Sequence, residues 1–438
     1  MKIIEPIIKK IEKKKFKQLN EKIDFYNKDI SVSDKFEFQK VKFNKSWKFA
    51  YENYSFYKEL KNEHSLPNEI DDINQLKYFP IIKKNDIRSN FEKIYSETQK
   101  FKNIFLVSTG GSTGEPTHFP SSNAEKKTRY GNVYLGRSWW KIKPFDKTIL
   151  IWGNSHLFGT GINGKIKNLK RIFFDNLINT KRLNAYNMTE KSIIEYIKII
   201  NKKLPSVIIG YSSVIFKIAQ VSKILNISML KNKLKGIILT AESVSKNEIK
   251  IIEDVFNTKI ILEYGMAELG VIAYSKKETL NYNVFWDSFV CNYSTNGLVI
   301  STIDDRIFPM IRYQTNDVIE PNQSLDTSIL SFPNIKGREQ EKLSLFTLDK
   351  KIIWISGIMI VHILKALPGM MSICSTQIKK GKILIYYELL RSFNEESIFK
   401  YLIKELNNEF NNIDPKSINL KKENYIKPTL SGKNISVK

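Results

Sequence analysis

A run of hydroxyl-bearing residues and glycines follows an apolar segment near residue 105. Glycines let backbone N–H groups approach a polyanion closely, and serine and threonine hydroxyls add hydrogen-bond donors. The composition therefore indicates a phosphate-binding loop, although an ordinary mobile loop has the same composition. The run consists of Ser108, Thr109, Gly110, Gly111, Ser112, Thr113 and Gly114.

The spacing of these glycines excludes the two commonest nucleotide-binding loops. The nucleoside-triphosphatase loop is G-x-x-x-x-G-K-[ST], but here Gly114 comes one residue too early and Glu115 occupies the place of the lysine. The fingerprint G-x-G-x-x-G of dinucleotide-binding proteins fails as well, because Gly110, Gly111 and Gly114 are spaced differently. Neither common loop fits this sequence.

Strand-like and helix-like segments alternate along the middle of the chain. Alternation of this kind predicts α/β layers with largely parallel sheets, in which ligands bind beyond the carboxyl ends of the strands. Several of the predicted strands end in polar residues, which we expect to lie on one face of the sheet with the glycine-rich loop. The predicted strands are 104–107, 148–152, 206–209, 236–240, 259–262 and 297–302, and the predicted helices are 124–140, 190–203, 213–225 and 246–256.

The C-terminal hundred residues have a character of their own. A strand over 382–387 and a helix over 395–409 predict a compact α+β unit. We therefore predict an N-terminal domain over residues 1–336, a hinge over 337–342 and a small C-terminal domain over 343–438.

Bulk composition restricts the class of protein. The 438 residues are 42% hydrophobic and 12% aromatic, which excludes a disordered chain. The net charge is +25, but the lysines are scattered and no zinc-finger, RNA-binding or basic-zipper motif occurs, so no nucleic-acid partner is predicted. The two cysteines, Cys291 and Cys374, lie far apart in the sequence, which suits a reducing cytosol, and a cytoplasmic location is predicted.

No transmembrane segment is predicted. The longest apolar stretch, 352–364, is too short to span a bilayer and contains His362. The N-terminus is charged too early for a secretory signal, and we expect a solvated basic helix there, with an amphipathic helix at a membrane surface as the alternative. The oligomeric state leaves no trace in the sequence.

Five short motifs occur in order along nearly the whole chain. They are STGGSTGEP, EYGMAE, RYQTND, GREQEKL and PTLSGK. Each is weak alone, but the ordered set resembles the motif series of the adenylate-forming superfamily of acyl- and aryl-CoA ligases. The stretches SFYKEL and KYFPIIKKNDIRSNF are similar to the N-terminal signature of the phenylacetate–CoA ligase-like branch, which includes capsular-polysaccharide-type adenylating enzymes.

The resemblance implies a fold and an activity. The fold would be a large N-terminal layered α/β domain with parallel sheets and a small barrel-like part, followed by a small mobile α+β domain. The activity would be reaction of a small-molecule carboxylate with ATP, with Mg²⁺ bound, to give acyl-AMP and pyrophosphate. Coenzyme A is the default acceptor of the family, and an amino group of a sugar or another metabolite is the alternative.

The resemblance also implies roles for individual residues. The Ser108–Gly114 loop would hold the β- and γ-phosphates of ATP, and Glu268 would bind Mg²⁺ through its carboxylate. Asp317 would accept hydrogen bonds from both ribose hydroxyls, and Arg338 would donate to ribose or phosphate oxygens. Lys433 would reach the α-phosphate and the substrate carboxylate during adenylation.

Other residues have a role by resemblance beside a purely structural alternative. Tyr264, which precedes Gly265, would flank adenine or would pack in a core. The carboxylate substrate would be bound by residues for which packing is the competing interpretation, namely Trp152, His156, Tyr211 and Ser212.

Several positions depart from the family pattern. They are Glu115 in place of a lysine, Ala267 in place of a threonine, Asn316 in place of a glycine and Gln340 in place of the hinge aspartate. These departures leave open a slow enzyme, an enzyme with altered substrates, and a non-catalytic basic binding protein of the same fold. The chain retains Glu268, Asp317, Arg338 and Lys433, and this favours the enzyme over the non-catalytic protein.

Overall fold

The computed structural model describes most of the chain. For Arg338 it describes the backbone only. The described residues are 19–108, 117–153, 169, 171–186, 188–229, 234–294, 296–320, 328–338, 342–390, 394–428 and 436–437.

The helices and strands are numbered separately in chain order. The helices are α1 (19–26), α2 (Val32–Asn53), α3 (Ser55–Glu63), α4 (Lys84–Ser89), α5 (Phe91–Thr98), α6 (Asn123–Ser138), α7 (171–177), α8 (Glu190–Lys203), α9 (Ser212–Ile224), α10 (Lys246–Phe256), α11 (Gly357–Lys365) and α12 (Glu395–Phe410). The strands are β1 (Ile104–Ser108), β2 (His118–Ser122), β3 (Thr148–Trp152), β4 (Thr180–Asn184), β5 (Val207–Tyr211), β6 (Gly236–Thr240), β7 (Ile260–Met266), β8 (Gly270–Ser275), β9 (Tyr282–Val284), β10 (Phe289–Ser294), β11 (Gly297–Thr302), β12 (Tyr313–Gln314), β13 (Asp317–Ile319), β14 (Ser331–Phe332), β15 (Ile335–Arg338), β16 (Lys342–Phe346), β17 (Ile352–Ser356), β18 (Met370–Lys379), β19 (Lys382–Leu389) and β20 (Ile418–Lys422).

Local side chains set the start of several helices. Ser31, Ser122, Thr189 and Ser245 each accept a hydrogen bond from a backbone N–H in the first turn of α2, α6, α8 and α10. Such caps satisfy N–H groups that have no partner within the helix, and each is worth about 1 kcal/mol. The starts of these helices are therefore encoded locally.

The chain divides into two units. The first consists of Met1–Lys143, Glu263–Asn316 and Glu320–Pro333. The second consists of Pro144–Leu262, Asp317–Ile319 and Asn334–Lys438.

The strands of the first unit are antiparallel. β8 pairs with the end of β7 and with β9, and β9 pairs with β14. β10, β11 and β12 form a second antiparallel sheet, and β1 and β2 form a hairpin. The core of this unit is aromatic: Trp47, Tyr54 and Tyr57 are buried, and the rings of both tyrosines contact Phe308.

The second unit contains the parallel sheet, in the order β4-β3-β5-β6. α9 packs among these elements so completely that every residue from Ser212 to Ser222 is buried. β18, β19 and β20 form a further sheet, which α11 and α12 cover with a common apolar core. The α/β class predicted from the sequence is thus confirmed, with the parallel strands confined to this unit among the described residues.

Most predicted boundaries that differ from the structure do so by one or two residues, and the largest difference is at the end of β7. The strand predicted over 259–262 continues to Met266, because β8 supplies an antiparallel partner as far as Gly270. The apolar stretch 352–364 is divided between β17 and α11, with Gly357 as the first helical residue. Among the described residues, no helix has both the length and the apolar character needed to cross a bilayer.

Candidate active site

Glu268 lies in the tight turn between β7 and β8, in the first unit. Its side chain is nearly buried, and the hydroxyl of Tyr313 donates a hydrogen bond of 2.9 Å to its Oε1. Tyr313 lies in β12, 45 residues further along the chain, so only the tertiary fold brings the two together. The contact holds the carboxylate in one orientation.

Two arginines fix the backbone of the same turn. Arg129, from α6, donates to the carbonyl of Ala267 at 2.9 Å and to the carbonyl of Glu268 at 2.7 Å. Arg306 donates to the carbonyl of Leu269 at 2.9 Å. Burial, and next the charge of Arg306, lower the pKa of the Arg129 guanidinium. The turn therefore has a rigid and electropositive support on the backbone side of Glu268.

Glu125, also on α6, compensates part of this positive charge. Its carboxylate lies 3.8 Å from Arg129, accepts a hydrogen bond from Ser121 at 2.8 Å and accepts another from the backbone N–H of Ile307 at 2.9 Å. Since Glu125 is buried, these contacts satisfy a charge that would otherwise be costly. The sequence analysis did not identify Glu125, Arg129 or Arg306, because their spacing in the sequence carries no signal.

Two glycines let β7 and β8 approach each other next to this turn. A Cβ on Gly265 would lie 2.7 Å from the carbonyl oxygen of Gly270 and 2.9 Å from the Cα of Val271. Gly270 has a φ of +82°, which favours glycine, and a Cβ there would lie 2.9 Å from Cγ of Arg129. Gly265 thus has a packing role that is independent of any nucleotide.

The ring of Tyr264 packs within the first unit. It is 6% exposed, and its centroid lies 6.2 Å from that of Tyr282 and 5.9 Å from that of Phe332. These contacts agree with the core-packing alternative, and the contact with adenine stays a prediction.

Ser108 is the last residue of β1, at the start of the glycine-rich loop. Its hydroxyl hydrogen-bonds with Nδ1 of His118, the first residue of β2, at 2.7 Å. Beside it, the Thr117 hydroxyl accepts from the Arg88 guanidinium at 3.1 Å. The base of the loop is therefore fixed by side chains that the sequence analysis did not identify. The predicted loop residues Thr109 to Gly114, and Glu115, lie outside the described residues.

The predicted carboxylate-binding residues of the second unit lie near the carboxyl ends of parallel strands. The rings of Trp152 and Tyr211 are 4.5 Å apart across β3 and β5. Burial raises the pKa of Tyr211 above its ordinary value, which already lies well above neutral pH. Ser212 donates to the carbonyl of Glu242 at 3.1 Å, and the carboxylate of Glu242 accepts from the N–H of Ser213 at the start of α9. His156 lies outside the described residues.

Asp317 and Arg338 are brought together in the second unit. They are register partners on the antiparallel strands β13 and β15, and Asp317 is buried. Asn316 has a φ of +62°, a left-handed conformation that asparagine adopts more readily than other non-glycine residues. The replacement of the family's glycine by Asn316 is thus compatible with the backbone. The Arg338 side chain, Gln340 and Lys433 lie outside the described residues.

Glu268 offers one carboxylate ligand of the kind that a magnesium ion takes. Among the described residues no group of three His, Cys, Asp or Glu side chains is placed to hold a metal. Mg²⁺ needs no such cage, since it is commonly held by one or two carboxylates together with waters and substrate phosphates. Glu268 has the hard carboxylate oxygens for this, with Oε1 positioned by Tyr313.

Solved structures with the same architecture are adenylate-forming enzymes. A 2-hydroxyisobutyryl-CoA ligase in complex with R3-HIB-AMP has a TM-score of 0.69 and 16% identity, over 93% of this chain and 90% of that chain. The same ligase in an open conformation with 2-HIB-AMP and CoA has a TM-score of 0.57 at 15% identity, over 93% and 92% of the two chains. McyG A-PCP complexed with phenylalanyl-adenylate has a TM-score of 0.50 at 12% identity, over 75% of this chain and 64% of that one.

The fold of this chain is therefore that of the adenylate-forming ligases, and the fold implied by the motif series is confirmed. At the sequence level, the chain is similar to protein CapK of Staphylococcus aureus, with 25% identity over 299 residues. This alignment covers 67% of the chain and 64% of CapK, so the chain matches less than two thirds of the length of this relative. No family model matches the chain.

Proposed function

We propose that this chain activates a carboxylic acid with ATP, forming an acyl-AMP and pyrophosphate, and then transfers the acyl group to an acceptor. The carboxylate oxygen attacks the α-phosphorus, and the bond from that phosphorus to the pyrophosphate oxygen breaks. Catalysis of such a step depends on positioning and charge stabilisation rather than on a covalent protein nucleophile.

The Glu268 turn is the observation that carries the proposal. Tyr313 orients the Glu268 carboxylate, and Arg129 and Arg306 fix the backbone of its turn, so the carboxylate is held in position to bind a hard cation on its side-chain face. Bound Mg²⁺ would neutralise charge that develops on the phosphate oxygens. The role of Glu268 would be to hold that ion, and the role of the turn would be to keep Glu268 in place.

The remaining roles follow the motif series. We propose that the Ser108–Gly114 loop binds the β- and γ-phosphates, that Tyr264 and Gly265 lie next to adenine, and that Asp317 binds the ribose hydroxyls. Arg338 would donate to ribose or phosphate oxygens, and Lys433 would contact the α-phosphate and the attacking carboxylate. The acid would be bound by Trp152, His156, Tyr211 and Ser212.

The domain organisation is part of the same proposal. Residues 1–336 would form the domain that binds ATP and the acid, and 343–438 the small domain that delivers Lys433 after movement about 337–342. A cytoplasmic location would supply ATP and the acceptor.

Coenzyme A is the acceptor we propose first, because the 2-hydroxyisobutyryl-CoA ligase combines this fold with bound CoA. The similarity to CapK supports a second candidate, which is an amino group of a sugar in polysaccharide biosynthesis. Both acceptors would attack the same acyl carbon and release AMP.

ATP–pyrophosphate exchange tests the first half-reaction. Exchange should require both ATP and an acid from a panel of aryl, fatty, hydroxy and amino acids. Glu268→Gln preserves shape but removes the charge, so we expect exchange to fall about 100-fold. Glu278→Gln, at an exposed position of the same unit, is the matched control and should be unaffected. ATP binding without exchange for any acid would favour the non-catalytic binding protein.

Lys433→Ala tests the proposed role of the C-terminal lysine. Exchange should be lost in this variant and retained in Lys427→Ala, which removes an exposed lysine nearby in the sequence. Equal activity of the two variants would contradict the assignment of Lys433.

The acceptor is identified by a separate experiment. Acyl-AMP is formed on the enzyme and then mixed with coenzyme A or with an amino sugar, and the product is identified by mass spectrometry. A thioester supports coenzyme A, whereas an amide supports the second candidate.

A further inference from the structure

One edge of the second unit exposes a group of large apolar side chains. Their exposed fractions range from 40% for Ile178 to 66% for Leu169. The rings of Phe173 and Phe174 are in contact, with centroids 6.1 Å apart, and exposed apolar patches often mark a contact with another protein or with a membrane. The group, here called the apolar edge, consists of Leu169, Ile172, Phe173, Phe174, Ile178 and Leu204.

The polarity of α7 is the reverse of an ordinary surface helix. Phe173 and Phe174 are each 60% exposed, whereas Asp175 is buried and lies 2.8 Å from Nε of Arg182. A helix on the surface of a water-soluble protein normally buries its apolar residues and exposes its charges. α7 therefore presents exposed aromatic side chains that could bury apolar surface against a binding partner.

The apolar edge lies where the parallel strands begin. Ile178 precedes β4 and Leu204 precedes β5, and both strands pair with β3 from its first residue, Thr148. β4 and β5 are two strand spacings apart, about 10 Å, so Ile178 and Leu204 lie at the same end of the sheet. The apolar edge is at the opposite end of these strands from Trp152 and Tyr211. A strand of five residues separates the two ends by about 17 Å.

Exposed lysines surround the apolar edge. They are Lys147 before β3, Lys181 in β4, and Lys202 and Lys203 at the end of α8. The N–H of Ser206 donates to the carbonyl of Lys147 at 2.7 Å, which places the end of α8 next to the start of β3.

Two carboxylates next to the apolar edge are paired with basic side chains. Asp146 lies 2.6 Å from Lys235, and Asp175 pairs with Arg182. Each of these pairs is neutral, so among the described residues named here the exposed lysines contribute an excess of positive charge. An anionic surface would be complementary to the charge of these lysines.

We propose that the apolar edge is the site at which this protein docks on the surface of an anionic lipid bilayer. Aromatic and aliphatic side chains flanked by lysines are typical of segments that lie in the interface between headgroups and acyl chains. Anionic lipids attract basic surface segments, and the chain as a whole has a net charge of +25. In this orientation, Phe173 and Phe174 enter the interface and Trp152 and Tyr211 stay on the side away from the bilayer.

The test is flotation of the full chain with vesicles of phosphatidylcholine alone and with phosphatidylglycerol added. We expect binding to the vesicles that contain phosphatidylglycerol, and we expect 0.5 M NaCl to weaken it, because salt at roughly this concentration screens the lysines. Phe173→Ser with Phe174→Ser should reduce the partition coefficient at least about tenfold, since both apolar rings that would enter the interface are removed. Lys181→Glu with Lys202→Glu and Lys203→Glu should remove the preference for anionic vesicles.

The matched control is Tyr78→Ser with Tyr130→Ser, which removes two exposed rings from the first unit. Far-ultraviolet circular dichroism and the melting temperature show whether each variant is folded. Failure of the unaltered chain to bind anionic vesicles would overturn the proposal, as would an equal loss of binding in the two double variants. If light scattering instead finds a dimer that Phe173→Ser with Phe174→Ser dissociates, without vesicle binding, the edge joins two copies of the chain and the lipid proposal is wrong.

Discussion

Lys365 donates a hydrogen bond of 2.7 Å to Oε1 of Glu248, and both side chains are buried in the second unit. Glu248 belongs to α10, where it also completes a capping box with Ser245, and Lys365 is the last residue of α11. A second buried pair, Lys217 with Glu388 at 3.6 Å, joins α9 to β19. The packing of the C-terminal segment on α9 and α10 therefore depends on paired charges.

Breaking the first pair should destabilise the second unit strongly. Lys365→Met leaves the Glu248 carboxylate buried without its ammonium partner, which typically costs about 3–5 kcal/mol. We expect a lower urea midpoint for unfolding. Lys259→Met is the control, because it breaks a pair with Glu253 in which the lysine is exposed, and it should cost less than about 1 kcal/mol. Similar midpoints for the two variants would show that the buried pair contributes little.

His362, which lies next to the Lys365–Glu248 pair, predicts a loss of stability in mild acid. Burial lowers the pKa of His362 below its ordinary 6.5, and the nearby Glu248 opposes this only in part. The unfolded chain therefore binds a proton at His362 more readily than the folded chain, so stability rises with pH. The stabilisation that comes from neutral His362 is complete above pH 6.5. It is lost as the pH falls from 6.5 towards the lower pKa that His362 has in the folded state.

Urea unfolding from pH 8 to pH 5 measures this dependence. His362→Gln should flatten the profile below pH 6.5, whereas His64→Gln, at an exposed position, should leave it unchanged.

Glu248 adds a second loss of stability in stronger acid. Burial alone would raise its pKa, but Lys365 and His362 hold it below 4.5, so its contribution falls away below that pH.

Tyr313→Phe should weaken the proposed catalysis without unfolding the protein. The change removes the hydrogen bond that orients Glu268 and should cost about 1 kcal/mol of stability. We expect a higher Mg²⁺ concentration for half-maximal ATP–pyrophosphate exchange. Tyr57→Phe removes a comparable hydrogen bond, to the carbonyl of Pro309, and should leave the Mg²⁺ dependence unchanged. An unaltered Mg²⁺ dependence in Tyr313→Phe would contradict the role given to Glu268.

Gly265→Ala and Gly131→Ala should have opposite effects on stability. A Cβ on Gly265 meets the backbone of β8 at 2.7 Å, so we expect a loss of about 1–3 kcal/mol. A Cβ on Gly131, within α6, meets only Cδ of Lys22 at 3.6 Å, and the higher helix propensity of alanine should stabilise by up to about 1 kcal/mol. Melting temperatures compare the two variants directly.

Thiol reagents should react with this protein only after it unfolds. Cys291 and Cys374 are both buried thiols outside any disulfide, and burial raises the pKa of the Cys291 thiol. Because the thiolate is the reactive form, modification by a disulfide reagent should be slow in buffer and rapid in urea. Rapid modification in buffer would show that the core opens locally.

Several elements were determined by the sequence alone. The bounds predicted for β3, β6, β11, α8 and α10 are those of the structure. Each has a short-range signal, such as a buried apolar run for β6 or the caps Thr189 and Ser245 for the two helices. The motif series also predicted the fold, because ordered motifs sample the whole chain.

Other features exist only in the tertiary structure. β7 extends past its predicted end because β8 offers hydrogen-bond partners, and no local pattern reports that pairing. Glu268 was predicted by its motif, but its partners Arg129, Arg306 and Tyr313 are 139, 38 and 45 residues away. Contacts at such separations depend on how strands and helices pack. The sequence near each residue does not predict that packing. The sequence alone therefore determined which carboxylate to examine, and the packing of α6 and β12 around it decided how that carboxylate is held.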